Sequence, residues 1–382
     1  MMAYSDAGRA VGPNASARLA RMPIASFYRR LVCLLGFIFF FEFGDINTFS
    51  FAAPVIAKQW HLSVSQIGFI TSATFIGMFL GAAGGGWFAD RVGRKPALLA
   101  TTLCYSVFSI LNAFVWEMDG LFLTRLLTGI GLSAMTVTGI TYISEMFPAQ
   151  RRGQFQSWIM TIGIAGITVT AFVAEFSIPR WIWGWRLVFV WGGLAILFPF
   201  FARLLEESPI WLERNGRAAE AEAVLRRIEA SVLRDGGRLE SLPDAVMEMP
   251  PADDRRYLDL FRGTNLPRTT MLMLVWIAQT LGFYGFVSWV PTLLVRQGFT
   301  LAQSLHYTTA MHTGAVPGVL LSAFIAERWE RKWSIMGTAV LIAVCAFCFG
   351  FAVHGPATIT FGFGVAMLIQ CFAPLLYAYT AE

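Results

Sequence analysis

Long apolar runs alternate with short polar turns along most of this chain. Ten stretches are long and apolar enough to cross a bilayer as helices, which takes about 20 residues. They centre on residues 31–56, 67–88, 97–116, 122–144, 155–175, 186–203, 269–294, 305–326, 333–353 and 357–380. Pro and Gly occur inside several of them, as membrane helices tolerate. The pattern predicts an all-α polytopic membrane protein. Two stretches break the alternation: a polar tail over 1–28 and a charged segment over 203–268. In the latter, Ser208 and Pro209 read as the N-cap and first residue of a short helix that Gly216 ends. "RAAEAEAVLRRIEA" reads as a second helix, and "YLDLF" (257–261) as a short amphipathic helix on the membrane surface.

Composition agrees. The chain is 56% hydrophobic and 14% charged, with 34 Phe and 13 Trp; soluble domains run near 45–50% and about 25%. A soluble core of this length would not bury so much apolar surface. The net charge of +5 is explained by topology. Of 29 Lys and Arg, only Lys58, Arg125, Arg180, Arg186 and Arg296 lie in spans or in odd-numbered loops. The rest lie in the tail, in the loops after spans 2, 4 and 8, or in the central segment. Cytoplasmic loops collect such residues, so the N-terminus and the central segment are expected in the cytoplasm of a multi-pass plasma-membrane protein, a bacterial inner membrane protein above all. Cys33, Cys104, Cys345, Cys348 and Cys371 all sit in apolar runs and read as small hydrophobes. No metal cluster is expected.

The sequence also repeats. At an offset of 237, Pro54 falls on Pro291, Gln66 on Gln303, Gly77 on Gly314 and Gly81 on Gly318. "ADR" at 89–91 falls on "AER" at 326–328, Arg94-Lys95 on Arg331-Lys332, Tyr142 on Tyr379 and Glu145 on Glu382. This implies two parallel repeats. The division is then a tail over 1–28, a six-helix bundle over 29–203, a linker over 204–268 and four helices of a second bundle over 269–382. The same offset places the end of the second repeat near residue 440, so the sequence reads as ten of twelve helices, a fragment or a shortened gene.

"GGWFADRVGRKP" resembles the signature loop between helices 2 and 3 of the major facilitator superfamily. "TRLLTGIGLSA" (124–134) resembles that family's helix-4 motif. "YISEMFPAQRRG" (142–153) and "EESPIWLERNGR" (206–217) resemble motifs of its sugar-porter branch and of proton-coupled metabolite relatives. The resemblance runs from about residue 29 to the end of the chain. It implies alternating access, with two bundles rocking about a site near the midplane. It implies that Asp90 faces a helix N-terminus across the cytoplasmic gate, where the helix dipole favours a carboxylate. Arg91, Gly93, Arg94 and Lys95 belong to the same loop, and Glu145, Arg151 and Arg152 to its charge network. Glu327, Arg328, Arg331 and Glu382 are the counterparts in the second repeat. Glycines 84–86 read as letting helix 2 approach a neighbour closely.

Ionisable residues inside spans cost about 2.5–3.5 kcal/mol each on insertion scales, so each demands a reason. Glu42 and Asp45 lie three apart on one face of span 1, and Arg125 lies in span 4. The resemblance makes helices 1 and 4 neighbours and implies an Asp–Arg pair that couples protons. The expected scheme has Asp45 take a proton when Arg125 is drawn away and the bare carboxylate is left in a dry site. Glu42 shares the proton or faces a cavity, and the alternative for the pair is a fixed salt bridge pinning two helices. His312 reads as a packing histidine.

In helix 7 the chain departs from sugar porters: Gln279 and Gly282 match, while Ala278 and Tyr284 replace amide side chains. Tyr377 stands where that branch has Trp. With Asn47 and Trp289, these residues form the candidate substrate site. Aromatic walls with few amides suit a flat, partly apolar solute, and Glu42 with Asp45 resembles the D-x-x-D of aromatic-acid symporters. The expected function is proton-coupled symport of a small organic acid, aromatic acids such as benzoate or nicotinate included. A sugar or polyol symporter is the alternative, and a non-transporting remnant or sensor the second. The proton gradient is the energy source, no cofactor is expected, and the chain is expected to work as a monomer. An enzyme is not expected, because no span carries two histidines at i, i+4 and no H-E-x-x-H occurs. Scattered basic residues argue against nucleic acid.

Overall fold

A computed structural model describes residues 15–237, 239, 261, 263, 265–326, 328–352 and 355–380, with backbone alone at 326, 331 and 378. Among these residues there is no strand. The helices are α1 (Ala15–Ala20), α2 (Ser26–Gln59), α3 (Val64–Val92), α4 (Arg94–Asn112), α5 (Met118–Met146), α6 (Arg152–Ser177) and α7 (Gly184–Gly192), which continues as a 3₁₀ helix to Leu204. They are followed by α8 (Pro209–Arg214), α9 (Ala218–Arg234), α10 (Asn265–Val287), α11 (Val290–Arg296), α12 (Leu301–His312), α13 (Ala315–Ala326), α14 (Arg331–Phe351) and α15 (Gly355–Thr380). Nine helical passes among the described residues are long and apolar enough to cross a membrane. The tenth expected pass, α4, has 19 residues but falls short in apolarity. It is amphipathic in an unusual sense: beside Ala97, Leu98 and Tyr105 its buried side carries the polar Thr101, Thr102, Ser106, Ser109 and Asn112.

The 237-residue repeat is a repeat of contacts. Ser63 and Gln66 cap α3 reciprocally, side chain to backbone in both directions, and Thr300 and Gln303 cap α12 in the same way. The backbone of Gly77 lies against the Leu126 carbonyl and that of Gly314 against the Phe363 carbonyl. Gly81 meets the Ile130 carbonyl, and Gly318 meets that of Met367. A side chain at Gly77, Gly81 or Gly318 would strike a backbone oxygen and one at Gly314 would crowd it, so glycine is what lets the paired helices touch.

These contacts revise the reading of glycines 84–86. Only Gly85 is in close contact, against Ala134; Gly84 has nothing near it and Gly86 is only brushed by Val137. The contact stripe is Gly77, Gly81 and Gly85, because a 3.6-residue turn keeps i, i+4 and i+8 on one face and rotates 84 and 86 off it.

Span 7, read as one helix over 269–294, is broken into α10 and α11 at Ser288–Trp289. Pro291 has no N–H, so the Val287 carbonyl loses its helical partner. Ser50 Oγ fills the gap, lying 3.0 Å from the carbonyl of Val287 and 2.9 Å from that of Ser288. Span 8 is likewise divided between α12 and α13, at Thr313–Gly314.

The described part of the linker is not a free tether. Trp211, Leu212, Ala221, Val224, Leu225, Ile228 and Val232 share one apolar core with Leu19 and Met22 of the tail and with Tyr28, Leu35, Tyr142 and Phe155 of the helices. α8 begins as expected, with Ser208 Oγ accepting from Trp211 N at 3.1 Å, and Gly216 ends the turn at φ +74°. The short helix expected over 257–261 lies outside the described residues apart from Phe261.

Candidate functional site

Two polar constellations occupy the first repeat, one at the linker end of the helices and one inside them. At the linker end, Gly93 separates α3 from α4 with φ +103°, a conformation that favours glycine. Arg94 is buried and holds Glu145 through Nε (3.1 Å) and Nη2 (2.8 Å), and Asp90 through Nη1 at 2.6 Å. Asp90 therefore spends its carboxylate on Arg94, one turn along. The carboxylate at the N-terminus of α4 is Glu207. It accepts from the backbone N–H groups of Arg94 (2.9 Å), Lys95 (3.1 Å) and Ser208 (2.8 Å). Burial pushes its carboxyl above the ordinary range, against the pull of those donors and of Arg94. Lys95 Nζ donates to the Leu205 carbonyl at 2.6 Å and Trp211 Nε1 to that of Asp90 at 2.8 Å, so the linker is bonded to the loop on both sides.

The charge network is narrower than the one read from the sequence. Arg91 leaves it and stacks on Trp87, 4.2 Å from the ring centroid. Arg151 and Arg152 form no ion pair among the described residues. In the second repeat Arg328 stacks on Phe324 at 3.9 Å. Glu327 and Glu382 lie outside the described residues, as does the side chain of Arg331.

Inside the helices, α2 and α5 bring Asp45 and Arg125 together. Arg125 Nη1 lies 3.7 Å from Asp45 Oδ2, and the two side chains are 1% and 0% exposed. Arg125 Nε donates to Thr74 Oγ1 at 3.0 Å and Nη1 to Thr48 Oγ1 at 3.3 Å. The guanidinium sits between the Phe49 and Phe189 rings, 5.9 Å from each centroid. Asp45 accepts from Ser109 Oγ, which also faces the Phe189 carbonyl at 3.1 Å. Its other oxygen, Oδ2, is buried and receives no hydrogen bond. Gly192 makes room for it: a side chain there would collide with Asp45 Oδ1. One turn earlier, Glu42 accepts from Thr136 Oγ1 at 2.7 Å, and its Oε2 is also buried without a donor. Sequence reasoning missed Ser109, Thr74, Thr136 and Glu207. The polar stripe of α4 was the available signal for Ser109.

Of the expected substrate residues, Tyr284 packs edge-on against Phe75 at 4.7 Å, and Phe75 lines a cleft with Arg125, Ser50 and Ser288. Trp289 lies beside Gly68. Asn47 is buried and donates to its own helix, at Phe43 O, 3.0 Å. Gln279 is half-buried on α10. Tyr377 is 65% exposed and packs against Trp276 at 4.6 Å. His312 is buried edge-on against Phe51, as a packing histidine would be.

The two repeats touch toward the end away from the linker. Besides Ser50, Thr168 Oγ1 donates to the His312 carbonyl (2.8 Å), Thr309 Oγ1 to that of Ala171 (3.2 Å), and His306 Nδ1 meets Glu175 Oε1 at 2.7 Å.

The model of the Major Facilitator Superfamily matches residues 35–382. The chain is 40% identical over 369 residues to the putative metabolite transport protein YyaJ of Bacillus subtilis, covering 97% of this chain and 82% of that protein. It is 31% identical to the niacin transporter NiaP of Acinetobacter baylyi, over 96% of this chain and 82% of the relative. Its fold is similar to a partially occluded, inward-open xylose transporter XylE from E. coli, with TM-score 0.69 at 20% identity, covering 94% of this chain and 88% of the other.

Proposed function

The chain belongs to the Major Facilitator Superfamily and is a multi-pass membrane transporter rather than an enzyme; from that premise we propose that it symports a small organic acid, aromatic acids included, with a proton. The observation that carries this reading is the Asp45–Arg125 pair, sealed from solvent at 3.7 Å within the membrane helices. Burying two charges costs several kcal/mol per ion unless they are well bonded, and a pair bonded this loosely is more readily explained by a role in turnover than by stability. Similarity to a niacin transporter supports a carboxylate on a flat ring as cargo. The loss of helix-7 amides at Ala278 and Tyr284 speaks against a sugar. In this reading the tail and linker face the cytoplasm, where the positive-inside rule puts them. Access alternates as the second repeat rocks over the Ser50 and Thr168 contacts.

The test is uptake into proteoliposomes of the purified full chain. Labelled nicotinate or benzoate should accumulate when the outside is made acid, and labelled hexose should not. Hexose uptake with no acid uptake would overturn the reading.

A further inference from the structure

We infer that Arg125 is the anchor for the substrate's carboxylate, and that it holds one anion at a time, either the substrate or Asp45. The inference rests on the organic-acid reading above and deepens it.

A guanidinium has five N–H donors. Here Nε is bonded to Thr74 and Nη1 to Thr48, while the Nη2 edge makes no hydrogen bond to a described residue. Asp45 does not saturate it either. Charge-assisted N–H to carboxylate bonds run about 2.7–2.9 Å, and this pair stands at 3.7 Å with Asp45 Oδ2 lacking any donor. Arg125 also lines a narrow cleft whose walls come from α2, α3 and α5 and, through Ser288, from the break between α10 and α11. Both repeats therefore contribute, and the cleft changes width whenever they move. Phe49 and Phe75 supply ring faces beside the guanidinium, and Ser50 and Thr71 supply hydroxyls. A guanidinium between aromatic walls is complementary to an aromatic carboxylate: the acid group bonds bidentately and the ring packs edge-on or offset.

Exclusivity follows from dryness. One guanidinium offsets one carboxylate, and a second ionised carboxylate there would be an uncompensated buried charge, costing several kcal/mol. The titratable groups around Asp45 are Arg125 on α5, Tyr105 on α4 and Glu42 on its own helix. None of the others supplies a positive charge. Substrate carboxylate therefore enters only as Asp45 takes a proton from water. The O–H bond forms on the Asp45 carboxylate, and Arg125 passes from Asp45 to the substrate. The site holds one anion and one cation before and after. One proton thus travels with each monocarboxylate, and no net charge crosses.

The experiment uses the full chain in lipid nanodiscs and proteoliposomes, with nicotinate, benzoate and their neutral amides as probes. Wild type should bind each acid at least tenfold more tightly than its amide, the equivalent of 1.4 kcal/mol. Arg125→Gln should lose that preference and Arg125→Lys should recover part of it. Asp45→Asn should bind nicotinate at least as tightly as wild type, with the pH dependence of binding gone. A membrane potential imposed without a pH gradient should not drive uptake. If Arg125→Gln misfolds, the Asp45→Asn pH profile still decides, since a wild-type profile there overturns the proposal. Nicotinate and nicotinamide binding equally, or potential-driven accumulation, also overturns it while leaving organic-acid symport intact. Failure of wild type to bind either acid removes the organic-acid reading itself.

Discussion

Ser50 Oγ lies 3.0 Å from the carbonyl of Val287, its own counterpart at the repeat offset of 237. The two residues hold the same position in the two repeats, so the contact joins equivalent points of the repeats. The cause is local: Pro291 frees the Val287 carbonyl, as Pro54 in the first repeat frees that of Ser50. Ser50→Ala should therefore leave buried carbonyls unsatisfied and cost about 1–3 kcal/mol. The measurement is the thermal unfolding midpoint in detergent, and an unchanged midpoint would show that the hydroxyl fills no need.

Glycine substitutions should divide by helical face. Gly77→Ala and Gly81→Ala each drive a methyl into a backbone oxygen, which costs about 1–3 kcal/mol when packed helices must shift. Gly84→Ala meets nothing and should be neutral or stabilising by about 0.5–1 kcal/mol, as for any glycine in a helix interior. Comparing the three melting curves checks this; equal losses would contradict the stripe.

Glu207 caps α4 from the linker. Glu207→Ala should cost about 0.5–2 kcal/mol, the usual range for a lost N-cap. Glu207→Gln should cost less, because an amide oxygen still accepts the N–H bonds and carries no desolvated charge. Limited proteolysis between Leu205 and Pro209 should quicken in the alanine variant and not in the glutamine one.

Docking of α1 should depend on pH. Arg18 Nη2 and Arg21 Nη2 each reach Glu229 at 2.7 Å, and Arg18 also meets Glu222. Partial burial works to raise the Glu229 carboxyl, but the two arginines outweigh it and hold it below its ordinary 4.5. A depressed carboxylate contributes stability above its unfolded value and loses it as pH falls through the folded one. The tail should therefore stay docked at neutral pH and come loose below about 4.5, as read by a fluorophore on the tail. Arg18→Ala should raise the pH of release.

Asp45→Asn removes the one carboxylate paired with Arg125 among the described residues. It should abolish pH-driven accumulation, a loss of tenfold or more, equivalent to at least 1.4 kcal/mol of coupling. Exchange of labelled for unlabelled substrate, which needs no net proton movement, should survive. Wild-type accumulation by this variant would end the coupling scheme.

Much of this was legible in the sequence. Spans and the repeat follow from apolar run length and from residues recurring at one offset, both local properties of the chain. Asp45 and Arg125 stand out because a charge inside an apolar run is costly wherever the run folds. Glu207, Ser109 and Thr74 do not stand out, since short polar side chains are common in membrane helices and a carboxylate in a charged segment is unremarkable.

The sequence by itself determined that the chain is a helical membrane protein built on a repeat, and which buried charges needed partners. Only the tertiary structure decided which partner each received: Glu207 at the N-terminus of α4, Gly77–Gly81–Gly85 in place of 84–86 at the contact, a linker packed into the core, and a cleft beside Arg125. The reason is that hydropathy and periodicity describe one helix at a time. The position of a hydroxyl or an oxygen relative to another helix depends on crossing angle and depth, which the packing of whole side-chain surfaces sets.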